Sequence, residues 1–220
     1  VIKIGLSQMN YSIDVLSLFE ETERQDKIKN NLDKLGIGFN FFKVRRNTLF
    51  NYPNFTMAET GCTISHLLLT EKFIREDIGF KVILEDDAIP TEKLNSVLSE
   101  IETIYSDTGF DVVLLGYIRV DRNGAHSPLR DREKVYITPS GECCIPVESH
   151  EIVAGTFGYI MSKAGALKLR ECRKDYHIQA DGWNLFMRSH GLKVLVLKEM
   201  VVVHDIEAES SIGEHSPMIH

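Results

Sequence analysis

The stretch 80–87 constrains this chain more than any other. A compact apolar run, Phe80-Lys-Val-Ile-Leu84, passes directly into Glu85-Asp86-Asp87. A run of that kind reads as a buried strand, and open α/β sheets bind their ligands beyond the carboxyl ends of such strands. Side chains alternate along extended chain, so Glu85 and Asp87 are expected on one face and Asp86 on the other. A Glu-x-Asp pair offers hard oxygen ligands suited to Mg²⁺ or Mn²⁺, with substrate phosphates completing the coordination. The competing reading is a solvated strand end whose acids favour the dipole of the next helix. Pro90 closes the element, and Thr91 is expected to cap the helix that follows.

The rest of the chain supplies the surroundings of such a strand. Residues 13–18 (IDVLSL) read as a strand, and a helix from about Thr22 carries Ile28, Leu32 and Leu35 at helical spacing until Gly36 stops it. Residues 39–44 form a second strand, so a βαβ unit and a partly parallel sheet are expected. A helical pattern over 59–77 presents Ile64, Leu67, Leu68, Phe73 and Ile74. Another follows with Leu94, Val97, Leu98, Ile101 and Ile104, and then a strand at 111–115. Residues 119–134 are dense in charge and poor in apolar side chains, which marks a mobile loop. Order resumes with strand-like stretches around Gly155 and Gly158, and Ser162 is a candidate cap for a helix over 163–172. A short helix over 181–190 and strands at 192–197 and 200–203 end at His204.

Composition excludes several classes. The net charge of -7 argues against nucleic acid as a partner, although a metal or local basic residues still allow an anionic substrate. The four cysteines (62, 143, 144 and 172) fit no paired zinc pattern and read as free thiols of a reducing compartment. No signal core appears at the start, and the apolar runs are too short to span a bilayer. A cytoplasmic location is expected. Basic residues over 168–198 suit peripheral contact at the inner face of an inner membrane, or else form a solvated surface.

Several blocks, in order, resemble glycosyltransferase family 25. Gly61-Cys-Thr-Ile-Ser-His66 is similar to its Gly-Cys-x-x-Ser-His signature, and 82–87 (VILEDD) to its apolar strand ending in Glu-Asp-Asp. Gly155-Thr156 with Tyr159, Ser162, Gly165, Ala166 and Leu169 resembles a further block. Asp181 falls where the family carries an Asp, and His204 with Ser210-Ser-Ile212 resembles its closing His…Ser-Asp-Ile. Ser17-Leu18, Arg24 and Leu35-Gly-Ile37 match its opening strand, helix and turn. The chain departs from the pattern at Val44-Arg-Arg-Asn47 and at Ser211, while residues 1–12 have no counterpart.

The resemblance implies a single α/β domain of the GT-A type, with a mixed, mostly parallel sheet flanked by helices. About 13–115 would bind the nucleotide sugar and about 135–212 the acceptor. It implies an inverting hexosyltransferase that uses a UDP-sugar, commonly UDP-galactose, on a saccharide or glycolipid acceptor. A bacterial lipooligosaccharide core is favoured over collagen. Glu85 and Asp87 would hold the metal and diphosphate, with His204 a third ligand or else a hydrogen-bonded histidine. Asp86 would meet the ribose or hold the turn. Asp181 would be the general base, or else cap the helix carrying Trp183. Ser17, Leu18, Arg24, Ser65, His66, Gly155 and Thr156 would line the donor site. For His66 a role in fixing the strand of the triplet competes with substrate contact, and Trp183 would stack on an acceptor ring or lie in the core. Two other classes compete. A metal-dependent nucleotidyltransferase would show an early Gly-rich basic loop, which is missing from 1–24, and a non-catalytic carbohydrate-binding relative would have lost the triplet.

Overall fold

A computed structural model describes residues 10–49, 51–120, 135–174 and 178–205. The elements in order are β1 (Tyr11–Leu18), α1 (Thr22–Lys34), β2 (Asn40–Val44), α2 (Met57–Arg75), β3 (Phe80–Glu85) and β4 (Ala88–Pro90). Then come α3 (Leu94–Ser99), α4 (Ile101–Thr108), β5 (Val112–Leu114), β6 (Ile118–Val120), β7 (Tyr136–Ile137) and β8 (Cys143–Pro146). The chain continues with β9 (Ile152–Ala154), β10 (Gly158–Ser162), α5 (Lys163–Arg173), α6 (Trp183–His190), β11 (Val194–Leu197) and β12 (Val202–His204). Most of the charged loop expected over 119–134, and the Ser210-Ser-Ile212 segment, lie outside the described residues.

The expected α/β class is observed as an eight-stranded mixed sheet in the order β2-β1-β3-β10-β5-β11-β8-β7. Parallel pairing occurs within β2-β1-β3 and between β5 and β11, and the remaining neighbours are antiparallel. Two small pairs, β4 with β12 and β6 with β9, stand apart from it. The central strands are buried on both faces, which is why 80–84 reads as a continuous apolar run rather than an alternating one. Val82 and Leu84 pack into a core with Ile28 and Leu32 of α1 and with Leu94, Val97 and Ile101 of the next two helices. Ile83 points into the opposite core, with Leu69 and Phe73 of α2, Leu169 of α5 and Trp183 and Phe186 of α6. Among the described residues no helix is long and apolar enough to cross a membrane.

Local chemistry sets the element ends. Gly36 stops α1 at φ +68°, with its N–H on the Asp33 carbonyl and that of Ile37 on the Leu32 carbonyl, each at 3.0 Å. Thr56 opens α2 with a reciprocal capping box to Glu59, two residues before the expected start. Ser162 caps α5 as expected by accepting from Gly165 N–H. Thr91 does not cap a helix. Its N–H continues the β4–β12 pairing by bonding the Val201 carbonyl at 2.8 Å, and α3 begins behind Lys93 without a side-chain cap. The expected single helix is also broken at Glu100 into α3 and α4.

Helix α2 departs most from its apolar pattern. Leu68 is exposed, whereas Thr60, Thr63, His66 and Thr70 are buried with Leu69 and Phe73. The helix thus turns a polar stripe inward, and the hydroxyls of Thr63 and Thr70 bond carbonyls one turn earlier on the helix itself. Helices α2 and α5 pack side by side against β3 and β10. Gly165 of α5 rides directly on the backbone of Asp111, where an added Cβ would lie 2.1 Å from the carbonyl oxygen. Gly165→Ala is therefore expected to destabilise the fold by more than about 3 kcal/mol, at the severe end of single substitutions. Denaturant unfolding checks this. A loss under about 1 kcal/mol would contradict so tight a helix–strand contact.

Candidate functional site

Strands β1, β2 and β3 run parallel, so Leu18, Val44 and Glu85 end at one edge of the sheet. A cleft opens there. It is lined by Ser17 and Leu18 at the end of β1, Arg45, Arg46 and Asn47 after β2, and the three acids, of which Glu85 ends β3 and Asp86 and Asp87 follow it. Arg24 of α1 and Cys62 and Ser65 of α2 form its walls.

The acids do not alternate as extended chain would require. Glu85 is the last residue of β3, while Asp86 and Asp87 lie in a turn, so strand geometry ends before it can sort them. Asp86 and Asp87 share Arg24, whose Nη1 is 3.5 Å from Asp86 Oδ1 and 3.7 Å from Asp87 Oδ2. Glu85 instead receives His66 Nε2 at 3.0 Å and the Thr156 hydroxyl on the same oxygen. Thr156 reaches it because Glu85 N–H bonds the Phe157 carbonyl at 3.1 Å, tying the β9–β10 connection to the end of β3.

Antiparallel pairing of β12 with β4 sets His204 opposite Ala88, and its Nε2 lies 3.2 Å from Asp87 Oδ2. The other oxygen, Asp87 Oδ1, is buried with no hydrogen-bond partner among the described residues. The hydrogen bond that His204 Nε2–H donates to the Asp87 carboxylate holds the His204 pKa above its ordinary value. Among the described residues, the trio of ligand-type atoms lying within 4.8 Å of one another is Cys62, His66 and Glu85. The Glu85, Asp87 and His204 atoms do not gather that closely.

Burial pushes Asp86 up to about 6, and the neighbouring Asp87 and Glu85 charges add to the shift. The Ser17 hydroxyl and Arg24 oppose it. Burial also raises Asp181 and lowers His66. Asp181 is not a helix cap: Gly182 occupies that position, and the Asp181 carboxylate accepts the Gly155 N–H at 3.1 Å. Gly155 sits at φ +99°, where an added Cβ would also strike the Phe157 ring at 2.7 Å. Its carbonyl accepts Trp183 Nε1 at 3.0 Å. Trp183 is fully buried, so it belongs to the core and stacks on no acceptor.

His66 is likewise fully buried, with Nδ1 2.9 Å from the Tyr159 hydroxyl. It stands behind Glu85 rather than in the cleft, which corrects its expected place at the donor. Ser17, Leu18, Arg24 and Ser65 do line the cleft with the triplet, while Gly155 and Thr156 approach it from behind Glu85.

A family model, Glycosyltransferase family 25 (LPS biosynthesis protein), matches residues 10–183. The chain belongs to glycosyltransferase family 25. A similar protein from Aedes aegypti, a glycosyltransferase 25 family member, is 26% identical over 77% of this chain and 28% of its own length. The lipooligosaccharide biosynthesis protein lex-1 of Haemophilus influenzae is 32% identical over 54% of this chain and 38% of its own. The chain thus spans well under half the length of these curated relatives. The crystal structure of A197 from STIV aligns over 94% of this chain and 99% of its own, at a TM-score of 0.46 and 14% identity.

Within this family 25 chain, sequence reasoning missed Arg45, Arg46, Asn47 and Cys62 as cleft residues and Arg173 and Tyr159 as the support of His66. The first three had a signal. They follow a parallel strand at the sheet edge already assigned to ligand, and the same rule that selected 85–87 selects 45–47. Arg173 had none, because an Arg in the last turn of a helix ordinarily reads as a solvated complement to the dipole.

Asp86 yields a stability test. Its folded-state pKa of about 6 exceeds the unfolded value of about 3.9, so the folded form binds more protons between the two. This contribution to stability is complete below pH ~4 and is lost as pH rises through ~6. Asp86→Asn is therefore expected to raise stability by about 2 kcal/mol at pH 7.5 and by little at pH 4. Urea unfolding at the two pH values measures it, and an equal effect at both would contradict the assignment.

Proposed function

We propose that this chain is an inverting glycosyltransferase that moves galactose from UDP-galactose to a saccharide acceptor, in assembly of a lipooligosaccharide or lipopolysaccharide core. The observation that carries the reading is Asp87. Its Oδ1 is buried without a partner among the described residues, at the carboxyl edge of the parallel strands β1–β3, beside His204 and a cleft that also presents Arg24. An orphaned buried carboxylate oxygen is expensive unless a cation or donor completes it. The donor set, a carboxylate with an imidazole, suits Mn²⁺ and also Mg²⁺ with substrate oxygens.

In this reading Asp87 and His204 would hold the metal. When bound, the metal stabilises the negative charge on the departing diphosphate as a Lewis acid. Arg24 turns its guanidinium from the two aspartates toward the same phosphates. Ser17 and Leu18 face the nucleoside. Asp86 meets the ribose or holds the turn.

Asp181 takes the proton of the attacking acceptor hydroxyl. Burial raises its basicity, and the Gly155 N–H fixes its direction, as a positioned base requires. The saccharide class of the acceptor is supported by the family description and by the lipooligosaccharide role in the name of the Haemophilus relative.

Two experiments test this. A screen of UDP-sugars with and without Mn²⁺ is expected to show metal-dependent turnover, greatest for UDP-galactose. No turnover or binding of any nucleotide sugar would overturn the reading. Asp181→Asn is expected to lower transfer by about 100-fold or more while leaving donor affinity unchanged. Near wild-type transfer would remove Asp181 from the role of base.

A further inference from the structure

Arg173 lies at the end of α5 and is fully buried. Its hydrogen-bond partners among the described residues are all neutral. Nη1 donates to the His66 carbonyl at 3.2 Å and to the Thr70 hydroxyl at 2.8 Å. Nη2 donates to the Tyr159 hydroxyl and to the Ala180 carbonyl, each at 3.4 Å. A buried guanidinium without a carboxylate at hand needs a reason.

We propose that Arg173 is a positioning residue for Glu85, acting through a one-way hydrogen-bond chain from Arg173 to Tyr159 to His66 to Glu85. The inference deepens the proposed function, since it rests on Glu85 belonging to the donor site. The direction of the chain follows from donor and acceptor capacity once the fully buried His66 ring is neutral. Arginine can only donate, so the Tyr159 oxygen accepts from it. The single Tyr159 proton then goes to His66 Nδ1, 2.9 Å away. With Nδ1 an acceptor, the neutral ring carries its hydrogen on Nε2 and donates it to Glu85 Oε1 at 3.0 Å. The Thr156 hydroxyl donates to that same oxygen. The reverse direction would place two donors against the Tyr159 hydroxyl, strand its own proton and require Glu85 to be protonated.

The chain joins a buried positive charge at one end to a carboxylate at the other through two neutral groups. It also grips His66 twice, by its carbonyl and by its ring. Two donors on one oxygen fix the rotation of the Glu85 carboxylate at the lip of the cleft. Misplacing a group at a reacting centre by 1 Å can lower the rate about 100-fold. Helix α5, which holds no cleft residue of its own, thereby controls one that does.

The test uses the whole chain. Arg173→Met strips partners from several buried groups and can fail to fold, so Tyr159→Phe is the informative variant, because it keeps the ring and removes only the hydroxyl. Nitrogen-15 NMR of the His66 ring, without substrate, is expected to show a bare Nδ1 and a protonated Nε2 in the wild type. In Tyr159→Phe this preference is expected to relax. Transfer by Tyr159→Phe is expected to lose about 10- to 100-fold in kcat, while donor KM and affinity for UDP stay within about twofold. A protonated Nδ1 in the wild type, or an unchanged kcat in Tyr159→Phe, overturns the proposal. If the wild type turns over no nucleotide sugar but the ring shows the expected tautomer and its relaxation, the functional reading fails while the chain to Glu85 stands.

Discussion

The hydrogen bond between His66 and Glu85 is the contact on which the site's arrangement depends. It takes one acid of the triplet out of the pool that faces the cleft freely and turns it toward α2 and the β9–β10 connection. The other two are left to Arg24 and, for Asp87, to His204. Three adjacent carboxylates would repel one another if they shared one direction. The division gives each its own partners, and the residual strain is visible in Asp86, whose burial among acids pushes its pKa to about 6.

The same contact explains why α2 carries a polar stripe into the core. Thr60, Thr63, His66 and Thr70 are buried where an ordinary amphipathic helix would place leucines. Arg173 comes to meet that stripe from α5, and Gly165 lets α5 lie against the sheet closely enough for it to do so. A hydrophobic replacement for this network could pack as well, but it could not hold a carboxylate in one orientation.

Much of this was legible in the sequence, and particular residues show where legibility stopped. The continuous apolar run 80–84 announced a strand buried on both faces, and Gly36 and Ser162 announced helix ends, because each depends on local chemistry. The carboxyl edge of the sheet was legible as the place where a cleft opens, and Ser17, Leu18, Arg24 and the triplet as its lining. The pairing within the triplet was not, because it turns on whether the strand ends at Glu85 or one residue later. Thr91 looked like a cap but continues a two-stranded pairing with a segment more than a hundred residues away in sequence. In sequence Trp183 and His66 each suit either core or substrate, and both are fully buried in the fold. Arg173 could not be found, since nothing local distinguishes a buried arginine from a solvated one.

What joins fold to chemistry is the proposal that Asp87 and His204 would hold a divalent cation, which would supply the positive charge for the diphosphate of a nucleotide. Calorimetric titration of UDP into the wild type and into Asp87→Asn, each with and without Mn²⁺, tests it most directly. The account predicts that Mn²⁺ tightens UDP binding in the wild type and has no effect in the variant. Equal tightening in both would contradict it.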